Sequence, residues 1–104
     1  MAIDLSGNIT LDRAADLYVP FSRFSDAGVE LDISAANLRF IVQGGFQLTP
    51  GLDAGNAKGR LLHFTEAHAQ SLGGKPRSYM LLLTEGDDHT VLLRGMIAAT
   101  GWAA

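Results

Sequence analysis

Apolar residues recur at every second position in several short runs of this chain, and most of those runs end at Gly, Asp or Pro. Leu17, Val19 and Phe21 keep this spacing, as do Val29, Leu31 and Ile33, and then Leu38, Phe40 and Val42. Successive side chains of a strand point to opposite faces, so period two marks a strand with one buried face. Pro20 falls inside the first run and cannot donate to a ladder, which places that strand at an edge or at a bulge. Between the first two runs lies SDAG, residues 25–28, where Asp26 and Gly28 supply the chemistry of a short hairpin turn. After Gly44 and Gly45, the stretch from Leu48 to Gly59 holds Pro50 and several glycines, and reads as a long loop with one short strand at FQL.

The second half continues in the same manner. GRLLHF (59–64) and SYMLLLTE (78–85) are further strands, GDD (86–88) is a tight turn, and HTVLLRGMIAATGW returns as the last strand or pair of strands. Gly95 inside that return predicts a bulge or a close backbone approach. The helical exception is TEAHAQSLGG. Thr65 suits the N-cap, Glu66 the first turn, and Gly73 the position just past the end, so two turns are expected over about residues 65–72. The pattern is that of an all-β sandwich or barrel. A chain of 104 residues has room for one core, hence a single domain spanning 1–104.

Charged residues make up only 18% of the chain, against about 25% in an ordinary soluble domain. Either a small core takes a large share of the sequence, or part of the surface is buried against other subunits. A net charge of −3 with eight scattered basic residues argues against nucleic acid as a partner, since phosphate affinity comes from clustered Lys and Arg. The absence of cysteine excludes a disulfide framework and a thiolate zinc site. No apolar run approaches the length of a membrane span, and MAIDLSGNITLDR has no basic, then apolar, leader, so no membrane partner is expected and synthesis in the cytoplasm is.

His63, Glu66 and His68 crowd one stretch and invite a metal or acid–base reading. With Thr65 as cap, however, His63 lies in a strand, facing away from the core if Leu62 and Phe64 face it. Glu66 and His68 are then two apart on a helix and diverge, whereas a zinc-binding helix needs i, i+4 spacing. His89, after Asp87 and Asp88, fits a solvated hairpin tip. There is no G-x-S-x-G elbow, GNAKGR (55–60) lacks the length of a phosphate-binding loop, and Asp53, Asp87 and Asp88 lack calcium-loop spacing. Arg23 beside Phe21 and Phe24, and Arg39 beside Phe40, read as solvent-facing arginines alternating with core aromatics. No catalytic, cofactor-binding or metal site is expected, and no enzyme.

Taken in order, these segments resemble small β-sandwich domains of tailed-phage virion proteins, typified by the N-terminal domain of the baseplate upper protein family. RAADLYVPFSRFSDAGVELDISAANLRFIV is similar to that domain's opening strand, D-x-x-G hairpin and L-D-L-[ST] step, here Leu31, Asp32, Ile33 and Ser34. LHFTEA, YMLLLT led by Tyr79, and VLLRGMI resemble its later elements, and the likeness covers about residues 10–101. The resemblance implies an immunoglobulin-like antiparallel β-sandwich of about seven strands and a non-enzymatic structural role in a virion, as a tail, baseplate or fibre adaptor. Its partners would be other virion proteins and copies of itself, met in the host cytoplasm during assembly. Capsid decoration is an alternative.

The family's receptor-binding extension has no counterpart after Trp102, Ala103 and Ala104, which predicts a stand-alone component. Sheet edges can recruit partners by strand addition. Residues 1–10 and 99–104, outside the main alternating blocks, are candidate docking arms. Their apolar residues Ile3, Leu5, Ile9 and Trp102, together with Phe46, are the candidate interface residues. Trp102 fits an interface anchor or, equally, a lid over the open end of the core. The rival class is a sandwich whose 44–58 loop holds a sugar or other small ligand, with Phe46 and Gln47 as its contacts.

Overall fold

The computed structural model describes residues 7–101. Among them ten strands and one helix follow in chain order: β1 Ile9–Asp12, β2 Leu17–Phe21, β3 Arg23–Phe24, β4 Glu30–Leu31, β5 Asn37–Val42, β6 Gln47–Leu48, β7 Gly51–Leu52, β8 Arg60–Phe64, α1 Glu66–Ser71, β9 Arg77–Glu85 and β10 Asp88–Thr100. A five-stranded sheet has the order β1-β10-β9-β5-β6, a three-stranded sheet the order β2-β8-β7, and β3-β4 form a separate hairpin. The expected all-β sandwich is the fold. The strand inventory is longer than about seven, because β3, β4, β6 and β7 have only two residues each.

Alternation builds the core between the two larger sheets. Leu38, Phe40 and Val42 from β5 and Tyr79, Leu81 and Leu83 from β9 are buried on the inner face of the five-stranded sheet. Val19 from β2 and Leu62 and Phe64 from β8 face them. Phe40 is the hub, with its ring edge-on to Phe64 at 5.1 Å and stacked on Tyr79 at 4.9 Å. Pro20 lies on β2, an edge strand paired only with β8, where its missing N–H costs no ladder bond within the sheet.

The ends of the chain depart from expectation. Ile9–Asp12 pair in parallel with Ile97–Thr100, so β1 and the end of β10 are neighbours in the large sheet. Ile9 and Leu11 point inward and are 2% exposed. Residues 9–10 and 99–100 are therefore sheet rather than free docking arms, and Ile9 is a core residue rather than an interface residue, because its inward parity spends its side chain on the sandwich. Ile3, Leu5 and Trp102 lie outside the described residues.

Just before β1, the chain lies against β10. A Cβ on Gly95 would run into the Gly7 carbonyl, the Tyr79 hydroxyl donates to that same carbonyl, and the Met96 N–H donates to Asn8 Oδ1 at 3.2 Å. Gly95 thus marks a close backbone approach. The bulge falls elsewhere, where the β9–β10 register shifts between Val91 and Leu93 and leaves Leu92 without a partner.

The loops on the other side are held by one buried side chain. Arg60 has the same parity as Leu62 and Phe64, so it points inward, and it is only 7% exposed. No carboxylate meets it among the described residues. Its Nε donates to Gly51 O at 3.1 Å and its Nη2 to Pro50 O. Its Nη1 reaches the carbonyls of Ile33, Ser34 and Ala36 at 3.2, 3.3 and 2.9 Å. A planar fork of donors can serve five carbonyls from two loops at once, which no ammonium or neutral side chain can do.

Removing it would strand those carbonyls in a space that water does not freely reach. Arg60→Met is expected to lower the unfolding free energy by about 3–4 kcal/mol, and Arg60→Lys to recover only a minor part of that loss, both read from urea denaturation. Retention of full stability in the methionine variant would show that the loops hold their places without the guanidinium.

Candidate functional site

The crowded stretch 63–72 separates in space. Thr65 caps α1 with extended backbone geometry, Gly73 follows at φ 69°, and Leu72 and Ala69 anchor the helix in the core. His68 sits at the third helical position and closes a reciprocal cap. Its N–H donates to Thr65 Oγ1 at 3.4 Å, and the Thr65 N–H donates to its Nδ1 at 3.0 Å. A histidine here does the work of the Glu or Gln of a capping box. Its ring stacks on Phe46 at 4.5 Å. Phe46 in turn is half-buried and packs against the core, which leaves it little surface to offer a partner or a sugar.

His63 is exposed on the outer face of β8, as alternation predicts. Its ring lies parallel to that of Tyr18, its cross-strand partner, at 4.3 Å, and its Nε2 is 3.0 Å from Asp16 Oδ2. Glu66 is solvent-exposed and joins neither histidine. Among the described residues no three His, Asp or Glu side chains come together as metal ligands would.

Two surface features were not visible as sites in the sequence. The first is the outer face of the five-stranded sheet. Residues directly opposite across a ladder share a face, so Ile41, Met80 and Arg94 form one row and Arg39, Leu82 and Val91 another. Met96 stands opposite Ser78, whose hydroxyl is 3.5 Å from its sulfur. Together Ile41, Gln43, Ser78, Met80, Arg94 and Met96 line an open groove of about 660 Å³. Met80 and Met96 are 38% and 40% exposed. The named residues of these rows include no acid, and Arg39 and Arg94 have no ion-pair partner among the described residues.

The second feature is the β3–β4 hairpin. Gly28, at φ 80°, closes its turn, with the Gly28 N–H donating to Ser25 O and the Ser25 N–H to Val29 O, both at 2.9 Å. Phe24 and Val29 flank that turn and are 60% and 61% exposed. Phe24 is therefore a surface aromatic, contrary to the expectation of a core one. A strand of two residues carries no second buried position to fix which side faces inward.

Arg23 Nη1 lies 3.7 Å from Glu85 Oε1 and sets the hairpin beside the end of β9. From the other side, Asn56 Nδ2 donates to Glu30 Oε2 at 2.8 Å and to Ser22 Oγ at 3.1 Å, tying the 53–58 loop to the hairpin base. Hydrogen bonds from Asn56 and Ser22 hold the Glu30 carboxyl below its ordinary pKa, and those from Ser34 do the same for Asp32.

Comparison with protein-family models, with curated proteins and with solved structures returns no match to this chain.

Burial, and next the nearby His63, lower the pKa of His68 below its ordinary value. The folded state thus favours the neutral ring, whose unprotonated Nδ1 accepts the Thr65 N–H. This contribution to stability is complete above the unfolded value of about 6.5 and is lost as the pH falls through the lower folded value. His68→Gln keeps an acceptor for the cap but cannot titrate. The urea midpoint of the wild type is expected to fall by more than that of the variant as the pH drops below about 6.5. Parallel profiles would mean that the ring does not hold the cap.

Proposed function

We propose that this chain is a non-enzymatic structural component of a tailed-phage or phage-like virion, an adaptor of the tail, baseplate or fibre that works through protein–protein contacts. The observation that carries the assembly role is the outer face of the five-stranded sheet. A sheet face normally turned to water would alternate polar residues there, whereas Ile41, Met80, Leu82, Val91 and Met96 form a connected apolar surface with arginines at its flank. Such a face gains by being covered, at roughly 25 cal/mol for each Å² of apolar surface removed from water. The low share of charged residues supports the same reading. Placement in a virion rests on the ordered resemblance of the hairpin, the L-D-I-S step, the LHFTEA junction and the YMLLLT strand to baseplate-protein sandwiches.

A second reading has its own observation. Tyr18, 57% exposed, lies beside His63 and Asp16 on the outer face of the smaller sheet, and an aromatic ring with polar neighbours is what a sugar ring stacks on. It moves the rival ligand site away from the 44–58 loop. A Tyr18→Ala-sensitive signal on a glycan array would favour it.

For the assembly reading, gradient-purified particles from the host are probed for this chain. Co-sedimentation in a fixed ratio to the major tail or capsid protein is expected, with incorporation reduced at least tenfold by Met80→Asp, roughly the loss of one good interface contact. Recovery of the chain solely as free protein, outside any particle, would contradict it.

A further inference from the structure

We infer that the β3–β4 hairpin of one copy docks into the sheet groove of the next, so that the chain assembles head to tail. The partner of the proposed assembly face is then a second copy of this chain. Self-docking rests on the assembly reading for its biological setting and on the two surfaces for its geometry.

The two surfaces match in chemistry. The groove offers Ile41, Met80 and Met96 as an apolar floor, with Arg94 and, one row away, Arg39 as charges without ion-pair partners among the described residues. On the hairpin Phe24 stands opposite Glu30 and Val29 opposite Ser25, so the exposed Phe24 ring projects from one face alone, beside a turn that carries the exposed Asp26, with Asp32 after the hairpin. Apolar knob meets apolar groove, and acid meets guanidinium. Methionine floors suit such a contact, since the unbranched thioether chains adapt to the shape they receive. A groove of about 660 Å³ has the volume to receive one phenylalanine ring.

Face-to-face pairing of two such sheets lacks this match. A two-fold contact sets the same patch against itself, which would bring Arg39 and Arg94 of both copies to one interface with no acid among the rows they share. Placement favours the head-to-tail contact as well. The Arg23–Glu85 contact marks the hairpin as lying near the end of β9, while Ser78 and Met80 place the groove near its start. Met80 and Glu85 are five residues apart along the strand, about 17 Å at the usual rise. A copy can therefore use its hairpin and its groove at once, and a contact of that kind propagates into a ring or a filament.

Sedimentation velocity on the full chain tests this from about 10 μM to about 1 mM, the range in which a modest interface becomes populated. The wild type is expected to grow beyond a dimer as concentration rises. Phe24→Asp and Met80→Asp should each remain monomeric with unchanged far-ultraviolet circular dichroism, because both side chains are on the surface. Mixed in equal amounts, the two variants should form a dimer that grows no further, since one retains a groove and the other a hairpin. Arg94→Glu should weaken wild-type association at least tenfold, which added salt then no longer deepens.

A monomeric wild type throughout that range would overturn the inference, as would association that Phe24→Asp leaves intact. A mixture of the two variants that stays monomeric would overturn it too. Particle incorporation separates the two proposals. A monomeric chain found in virions sinks self-docking alone, and a head-to-tail oligomer absent from virions sinks the virion role alone.

Discussion

A guanidinium buried with no carboxylate beside it among the described residues is the constraint from which much of this fold is organised. Arg60 occupies an inward position on β8, where a sandwich normally places a Leu or Val, and among the described residues its charge is met by backbone carbonyls. Those carbonyls belong to the 33–36 turn leading into β5 and to the Pro50–Gly51 segment leading into β7. One side chain thereby ties the entry to β5, an inner strand of the five-stranded sheet, to the start of β7, an edge strand of the three-stranded one. A hydrophobic residue of similar volume would fill the same space yet give those carbonyls nothing to bond.

The functional reading depends on that rigidity. The 33–36 turn leads into β5, whose register with β9 brings Arg39 and Ile41 out on the outer face opposite Leu82 and Met80. Ile33 of the same turn is held from a second direction as well, its N–H donating to Lys58 O at 3.0 Å. The 53–58 loop then grips the hairpin base through Asn56, Glu30 and Ser22. The hairpin and the groove are thus displayed at defined places on one connected scaffold. An assembly subunit needs this more than it needs a cavity, since a mobile arm would lose ordering entropy at every contact it made.

Alternation made the long strands legible, because each carries several residues of one parity facing the core. The helix was legible as well, since Thr65 and Gly73 are local signals that tertiary structure did not override. Four features were less accessible. The parallel pairing of β1 with the end of β10 joins segments almost ninety residues apart, and four-residue runs such as ITLD have too little periodicity to announce it. Phe24 lies in a two-residue strand, too short for parity to assign a face. Arg60 was signalled by its parity with Leu62 and Phe64, but charge argued the other way, and the carbonyls that reconcile the two come from loops without a pattern of their own. The groove is a product of register between β5, β9 and β10, and no single strand contains it.

Docking between copies would engage two separate surfaces of this chain at once, the hairpin and the outer sheet face. Amide chemical shifts of the full chain followed by two-dimensional NMR through a dilution series report on it residue by residue. Self-docking predicts concentration-dependent shifts in two groups, one at residues 24–30 and one at 41, 78–80 and 94–96, with the amides around Tyr18 and His63 unmoved. Shifts confined to one of those groups, shifts centred on Tyr18 and His63, or no shifts at all would contradict it.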